Sequence, residues 1–262
     1  MKKLLSIIMA ILIVMAVTPM TFALDVHTHS VSVNCAEQEN TELFIPLTQE
    51  MIDAMDGYWY TIYNANYYLA EDIVIPNYIV ARLKSNLCLN GHSITAVKEG
   101  IRAHTMPVID VYGDSTFSIC DCKGGGKLIG TGKGSNTGIL LRDNAAVNFY
   151  GGNICIDSET AFVGVYLSRG SVFNMYAGSI YSDNYGVQSP EGATVNLYAG
   201  KVGGGNKNTF LSANSTLNAA DGVLCDCMCH EEGFLGFIWK IINLFQKLFG
   251  TNPVCECSRA HY

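Results

Sequence analysis

Along most of the chain, apolar and polar residues alternate in short runs, and the runs recur. Phe149-Tyr150-Gly151-Gly152-Asn153-Ile154 is echoed by Met175-Tyr176-Ala177-Gly178-Ser179-Ile180 and by Leu197-Tyr198-Ala199-Gly200-Lys201-Val202, each block following an Asn. Taking that Asn as an anchor aligns Asn148, Asn174, Asn196 and Asn218. The frame extends back through Ser118 to Cys88, with spacings of 30, 30, 26, 22 and 22 residues. One residue before the anchor stand Leu87, Phe117, Val147, Phe173, Val195 and Leu217. One after it stand Leu89, Ile119, Phe149, Met175, Leu197 and Ala219, and nine before it Ile79, Ile109, Ile139, Val165, Val187 and Thr209. Apolar residues on both sides of a polar anchor form the period-two pattern of a strand with one buried face.

Bends fall at matching places. Four residues before the anchor stand Asp114, Asn144, Gly170, Gly192 and Asn214, types that tolerate a left-handed backbone. The next column, Ser85, Ser115, Ala145, Ser171, Ala193 and Ser215, is small throughout. A unit of 22 to 30 residues built this way buries its apolar face only by stacking on its neighbours, and parallel crossovers are overwhelmingly right-handed. The pattern predicts an all-β chain, a right-handed parallel β-helix of about six coils over residues 66–224. Ahead of it, in segment 24–65, Thr48 followed by Gln49, Glu50, Met51, Ile52 and Met55 predicts a short capped helix. Such a helix would close the open N-terminal end of the solenoid against edge pairing.

The stretch Leu87-Cys88-Leu89-Asn90-Gly91-His92-Ser93-Ile94 resembles the Leu-x-Leu-Asn-Gly-His-x-Ile signature of bacterial surface proteins in the pectin-lyase-like right-handed β-helix superfamily. The resemblance covers residues from about 66 to 224 and implies the fold. It does not imply one function, because lyases, hydrolases, adhesins and structural proteins share that fold. A polygalacturonase would carry an Asp pair near a Gly-His-Gly. This chain has Gly91-His92-Ser93 and no Asp-Asp pair, so the superfamily's catalytic residues transfer to no position here.

Export is the expected setting. Met1-Lys2-Lys3, an apolar run from Leu4 to Val17 and a small-x-Ala ending at Ala23 predict a signal peptide over residues 1–23 and a secreted or cell-surface product. Its removal takes Lys2 and Lys3 from 16 basic residues, leaving 14 against 23 acidic ones, which argues against nucleic acid as a partner. The charged fraction is 15%, with 26 Gly and 6 Pro, a composition of a β-rich chain with many turns rather than a disordered one.

Three constellations are candidates for chemistry on the solenoid. Asp143, Arg169 and Glu191, five residues before the anchor, put two acids about 9.6 Å apart if coils repeat every ~4.8 Å. The intervening guanidinium would keep both acids ionised, so the column reads as a solvated charge ladder rather than an acid–base pair. His92 and His104 read as turn or surface histidines with no acid at triad or ligand spacing. Tyr150, Tyr176 and Tyr198 point outward on successive coils, where the rings stack on one another or offer a surface to sugar rings.

The tail, residues 225–262, changes character. Cys225, Cys227, Cys229 and His230 precede an apolar stretch, 234–249, whose Lys240, Asn243, Gln246 and Lys247 share one narrow stripe. Cys255, Cys257 and His261 follow. The spacing resembles a Cys/His-rich ending that recurs on exported proteins of Gram-positive anaerobes. At about 24 Å the helix is too short to span a bilayer, and it either caps the solenoid or contacts a membrane surface or partner. The seven Cys and His residues suit a Zn²⁺ site or a set of disulfides. The expectation for the whole is a non-enzymatic envelope protein that binds or displays, with carbohydrate as a candidate ligand. The alternative is a lyase or glycoside hydrolase acting on polysaccharide.

Overall fold

The computed structural model describes residues 28–30, 41–54, 59–98, 106–132, 136–156 and 163–224. Residues before Phe44 form a unit of their own, in which Thr28–Ser30 pairs antiparallel with Thr41–Leu43. From Phe44 to Leu224 the described residues form a parallel β-solenoid with three long sheets. Sheet I has seven strands running from Tyr60–Tyr63 to Lys207–Leu211. Sheet II has eight, from Ile45–Leu47 to Thr216–Ala219, and sheet III has six, from Ile73–Ile75 to Lys201–Gly204. The chain visits I, II and III in turn and then steps up one coil. This makes six three-strand coils and a partial seventh, which a bridge from Leu224 to Val202 completes.

The predicted apolar columns of sheets I and II line the core, together with a third column on sheet III. Ile79, Ile109, Ile139, Val165, Val187 and Thr209 are neighbours in register on sheet I. Phe117, Val147, Phe173 and Val195 are stacked on sheet II, and Ile94, Leu128, Ile154, Ile180 and Val202 on sheet III. All of these but Thr209 are fully buried or nearly so. The bends behave as expected at Asp114, Asn144, Gly170 and Gly192, with φ of 59°, 59°, 72° and 94°, whereas Asn214 stays out of the left-handed region.

The sequence frame slips in one coil. Ser118 lies beside Asn86, not Cys88, while Leu87 lies beside Ile119 and Cys88 beside Cys120. The Ile79 column keeps its register, so the difference is in the corner between sheets I and II. The later coil turns through Tyr112–Ser115, and this one turns two residues sooner, at Leu83, with φ of 57°. The Leu83 N–H is held by Ser115 Oγ at 3.0 Å. A slip of two residues preserves which side chains face inward, so the apolar columns could not reveal it. Asn86 in turn lies beside Asn66, placing a further coil, Tyr60 to Ile75, ahead of the expected first one.

The repeated Tyr-x-Gly of the sequence blocks is a corner between sheets II and III. Gly178 has φ of 89°, and a Cβ there would meet Gly152 O and, at 2.8 Å, Phe149 Cε1. The predicted helix is present as α1, Gln49–Asp53, and Met55 lies outside the described residues. Thr48 caps the helix by accepting from Met51 N at 3.3 Å, and Ile52 is buried in the solenoid core.

Candidate functional site

The outward side of sheet II is organised as ladders. Asn86 Nδ2 donates to Asn66 Oδ1 at 2.6 Å, Asn174 to Asn148 at 2.9 Å, Asn196 to Asn174 at 2.8 Å and Asn218 to Asn196 at 2.7 Å. Only Ser118 breaks the column. Asn174 and Asn196 each spend a donor and an acceptor on the ladder and the other four amides one group each, which stabilises the coil stack and leaves less hydrogen-bonding capacity for a ligand.

Two positions further on, the corrected register gives the column Tyr68, Cys88, Cys120, Tyr150, Tyr176, Tyr198 and Ala220. The predicted tyrosines are brought together: Tyr150 and Tyr176 stack with centroids 4.8 Å apart at 11°, and Tyr176 and Tyr198 at 5.0 Å and 18°. Their facing surfaces cover one another, so they do not form three coplanar platforms. Tyr198 is 53% exposed, and the next residue in the column, Ala220, is too small to continue the stack. Burial, then the neighbouring Tyr176, push the Tyr150 phenol above its ordinary range.

A second ladder was missed. Arg82, Tyr112 and Arg142 follow Ile79, Ile109 and Ile139 by three residues on successive coils, a column already present in the alignment. The Arg82 guanidinium lies 4.5 Å and that of Arg142 5.8 Å from the Tyr112 centroid, both within cation–π range. Arg142 also grips Asp110 with Nε to Oδ1 at 2.9 Å and Nη2 to Oδ2 at 2.8 Å. That hydrogen bond raises the Arg142 pKa against the opposing effect of burial. Asp110 is the one buried acid among the described residues, and both its oxygens accept from the Arg142 fork. Nearby, Trp59 stacks on Tyr78 with centroids 6.3 Å apart.

Several further acids are at turns, while Glu50 and Asp53 lie in α1. Asp143, Arg169 and Glu191 occupy exposed corner positions on successive coils, and none is ion-paired with another. The solvated ladder is their observed arrangement. His92 differs from expectation: its Nδ1 lies 3.6 Å from Asp72 Oδ1. The acid comes from the coil beneath, 20 residues earlier, which local spacing could not show. Asp72 Oδ1 also accepts the Ser93 N–H at 2.7 Å, so this carboxylate shapes a corner. Asp121 does likewise, accepting Gly91 N–H and Gly126 N–H, both at 2.7 Å.

His104 and the tail set, Cys225, Cys227, Cys229, His230, Cys255, Cys257 and His261, lie outside the described residues, as does stretch 234–249. Among the described residues no group of three or more His, Cys, Asp and Glu is placed to hold a metal ion. Nor is any helix among them long and apolar enough to cross a membrane. Comparison with protein families, with characterised proteins and with solved structures returned no match.

Proposed function

We propose that the chain is a non-enzymatic β-helix of the pectin-lyase-like bacterial surface kind, exported and serving binding or display at the cell envelope. The observation that supports this is the fate of the outward polar groups. Asn amides, Tyr rings and the Arg82–Tyr112–Arg142 column are engaged with one another along the stack, and the buried acid Asp110 is neutralised by Arg142. A glycosidase needs a pair of carboxyl groups open to the sugar, and Asp110 is buried with both oxygens turned onto Arg142. The carbohydrate reading narrows to the end of the tyrosine stack, where a sugar ring laid on Tyr198 would take the place of the next aromatic. The tail completes the proposal as an attachment or capping unit held by Zn²⁺ or by disulfides through its Cys and His residues, with stretch 234–249 against the solenoid end, a membrane surface or a partner.

The test is a glycan array of the mature protein, repeated with Tyr198→Ala and with Tyr150, Tyr176 and Tyr198 all replaced by Ala, alongside a product-release assay on the polysaccharides that score. Binding that falls at least tenfold in Tyr198→Ala, without product release, supports the reading. Turnover of any bound polysaccharide would replace it with the lyase or hydrolase alternative. Undiminished binding by a folded triple variant would remove the tyrosines from the site.

A further inference from the structure

Three cysteines meet where the Leu83 turn shifts the register. Cys88 is fully buried although it occupies an outward position of sheet II. Cys120 lies directly beside it on the next coil, and Cys122 follows in the corner that leads to sheet III. Cys88 Sγ donates to Cys122 Sγ at 3.4 Å, and Cys122 Sγ reaches Asn90 Oδ1 at 3.6 Å. The two backbones are also latched together: Asp121, next to Cys122, accepts the N–H of Gly91, next to Asn90, and closes its own corner on Gly126 N–H. The two sulfurs thus sit in contact between fixed supports. A disulfide would need them only about 1.4 Å closer.

We propose that Cys88 and Cys122 are an oxidisable cross-coil pair whose disulfide fastens the Asp121–Gly126 corner to the coil beneath it, with Cys120 remaining a thiol. The pairing does not depend on the ligand reading above. Burial, then the hydrogen bond to Cys88, push the Cys122 thiol up to about 11. The hydrogen bond to Cys120, then burial, push Cys88 higher still. The exposed Cys122 therefore reacts first. Its thiolate attacks the S–S bond of an external disulfide such as oxidised glutathione. One half leaves as a thiolate and takes up the Cys122 proton. Cys88 then attacks Cys122 Sγ and expels the second half, which takes the Cys88 proton. The external disulfide is reduced to two thiols by the two electrons that the protein dithiol gives up.

The experiment uses the full chain, treated with oxidised glutathione, unfolded and blocked with iodoacetamide, then reduced and labelled with N-ethylmaleimide; a parallel non-reducing digest identifies the linked peptides. The expected result is a Cys88–Cys122 linked peptide, the second label on both residues, and the first label on Cys120. The oxidised protein should unfold roughly 5 °C or more above the reduced one, and Cys122→Ser, a surface change, should abolish both the link and the difference. A Cys88–Cys120 link, a Cys122 link to a tail cysteine, or the first label on both Cys88 and Cys122 would overturn the proposal. The mapping of the unaltered protein decides this even if Cys122→Ser fails to fold.

Discussion

Gln49 grips Val74 as a strand would: its side-chain Oε1 accepts the Val74 N–H at 2.8 Å and its Nε2 donates to the Val74 carbonyl at 3.0 Å. Val74 lies in the terminal strand of sheet III, where both groups would otherwise face an open edge. Gln49→Leu should cost about 1 kcal/mol, since water can replace exposed bonds. Faster amide exchange at 73–75 and concentration-dependent self-association are expected, read by hydrogen-exchange mass spectrometry and by sedimentation. An unchanged exchange rate would show that the edge is protected by something other than Gln49.

The asparagine ladder predicts a graded response. Asn174 takes part in two ladder bonds and Asn218, at the exposed end, in one. Asn174→Ala should cost about 2 kcal/mol and Asn218→Ala about 0.5 kcal/mol in denaturant unfolding. Equal losses at the two sites would argue against a hydrogen-bonded ladder.

Gly178 combines φ of 89° with close approach of Phe149 Cε1 and Gly152 O. Gly178→Ala adds left-handed strain and overpacking together, and is expected to cost about 2–4 kcal/mol. A midpoint within experimental error of the parent's would mean that the corner relaxes freely.

Arg142→Met strands Asp110 without its partner and should cost about 3 kcal/mol. Adding Asp110→Leu removes the orphaned charge and should recover most of that loss. A double variant no better than Arg142→Met would place the cost in lost packing over Tyr112 rather than in the buried charge.

Alkaline pH should destabilise the fold. Burial is the largest influence raising the phenols of Tyr60, Tyr150 and Tyr166. Between the unfolded value of about 10 and the raised folded values, the folded chain holds protons that the unfolded chain has released, so stability falls as pH rises through that window. The reduced Cys88 and Cys122 thiols act in the same direction from about pH 8.5. Thermal midpoints measured in reductant should be level from pH 7 to 8 and then decline, less steeply above pH 10 in Tyr150→Phe. A midpoint that rises across that window would contradict the assignment.

Periodicity by itself determined that the chain is a stack of parallel coils, because burying one face of a strand demands an apolar residue at every second position. The Ile79 to Thr209 column and the Asn148 to Asn218 ladder follow from it, as does the outward stacking of Tyr150, Tyr176 and Tyr198. The alignment also held Arg82, Tyr112 and Arg142, although their chemistry stands out only once Asp110 is seen buried beneath Arg142. Tertiary structure alone decided which residue of one coil touches which of the next, because that depends on how many residues each corner consumes. The early turn at Leu83 moved the partner of Ser118 from Cys88 to Asn86 and put Cys88 beside Cys120. Asp72 reaches His92 from the coil beneath, 20 residues away in sequence. A corner can lose two residues without turning any side chain from inside to outside, so neighbours between coils become definite only when the chain is wound.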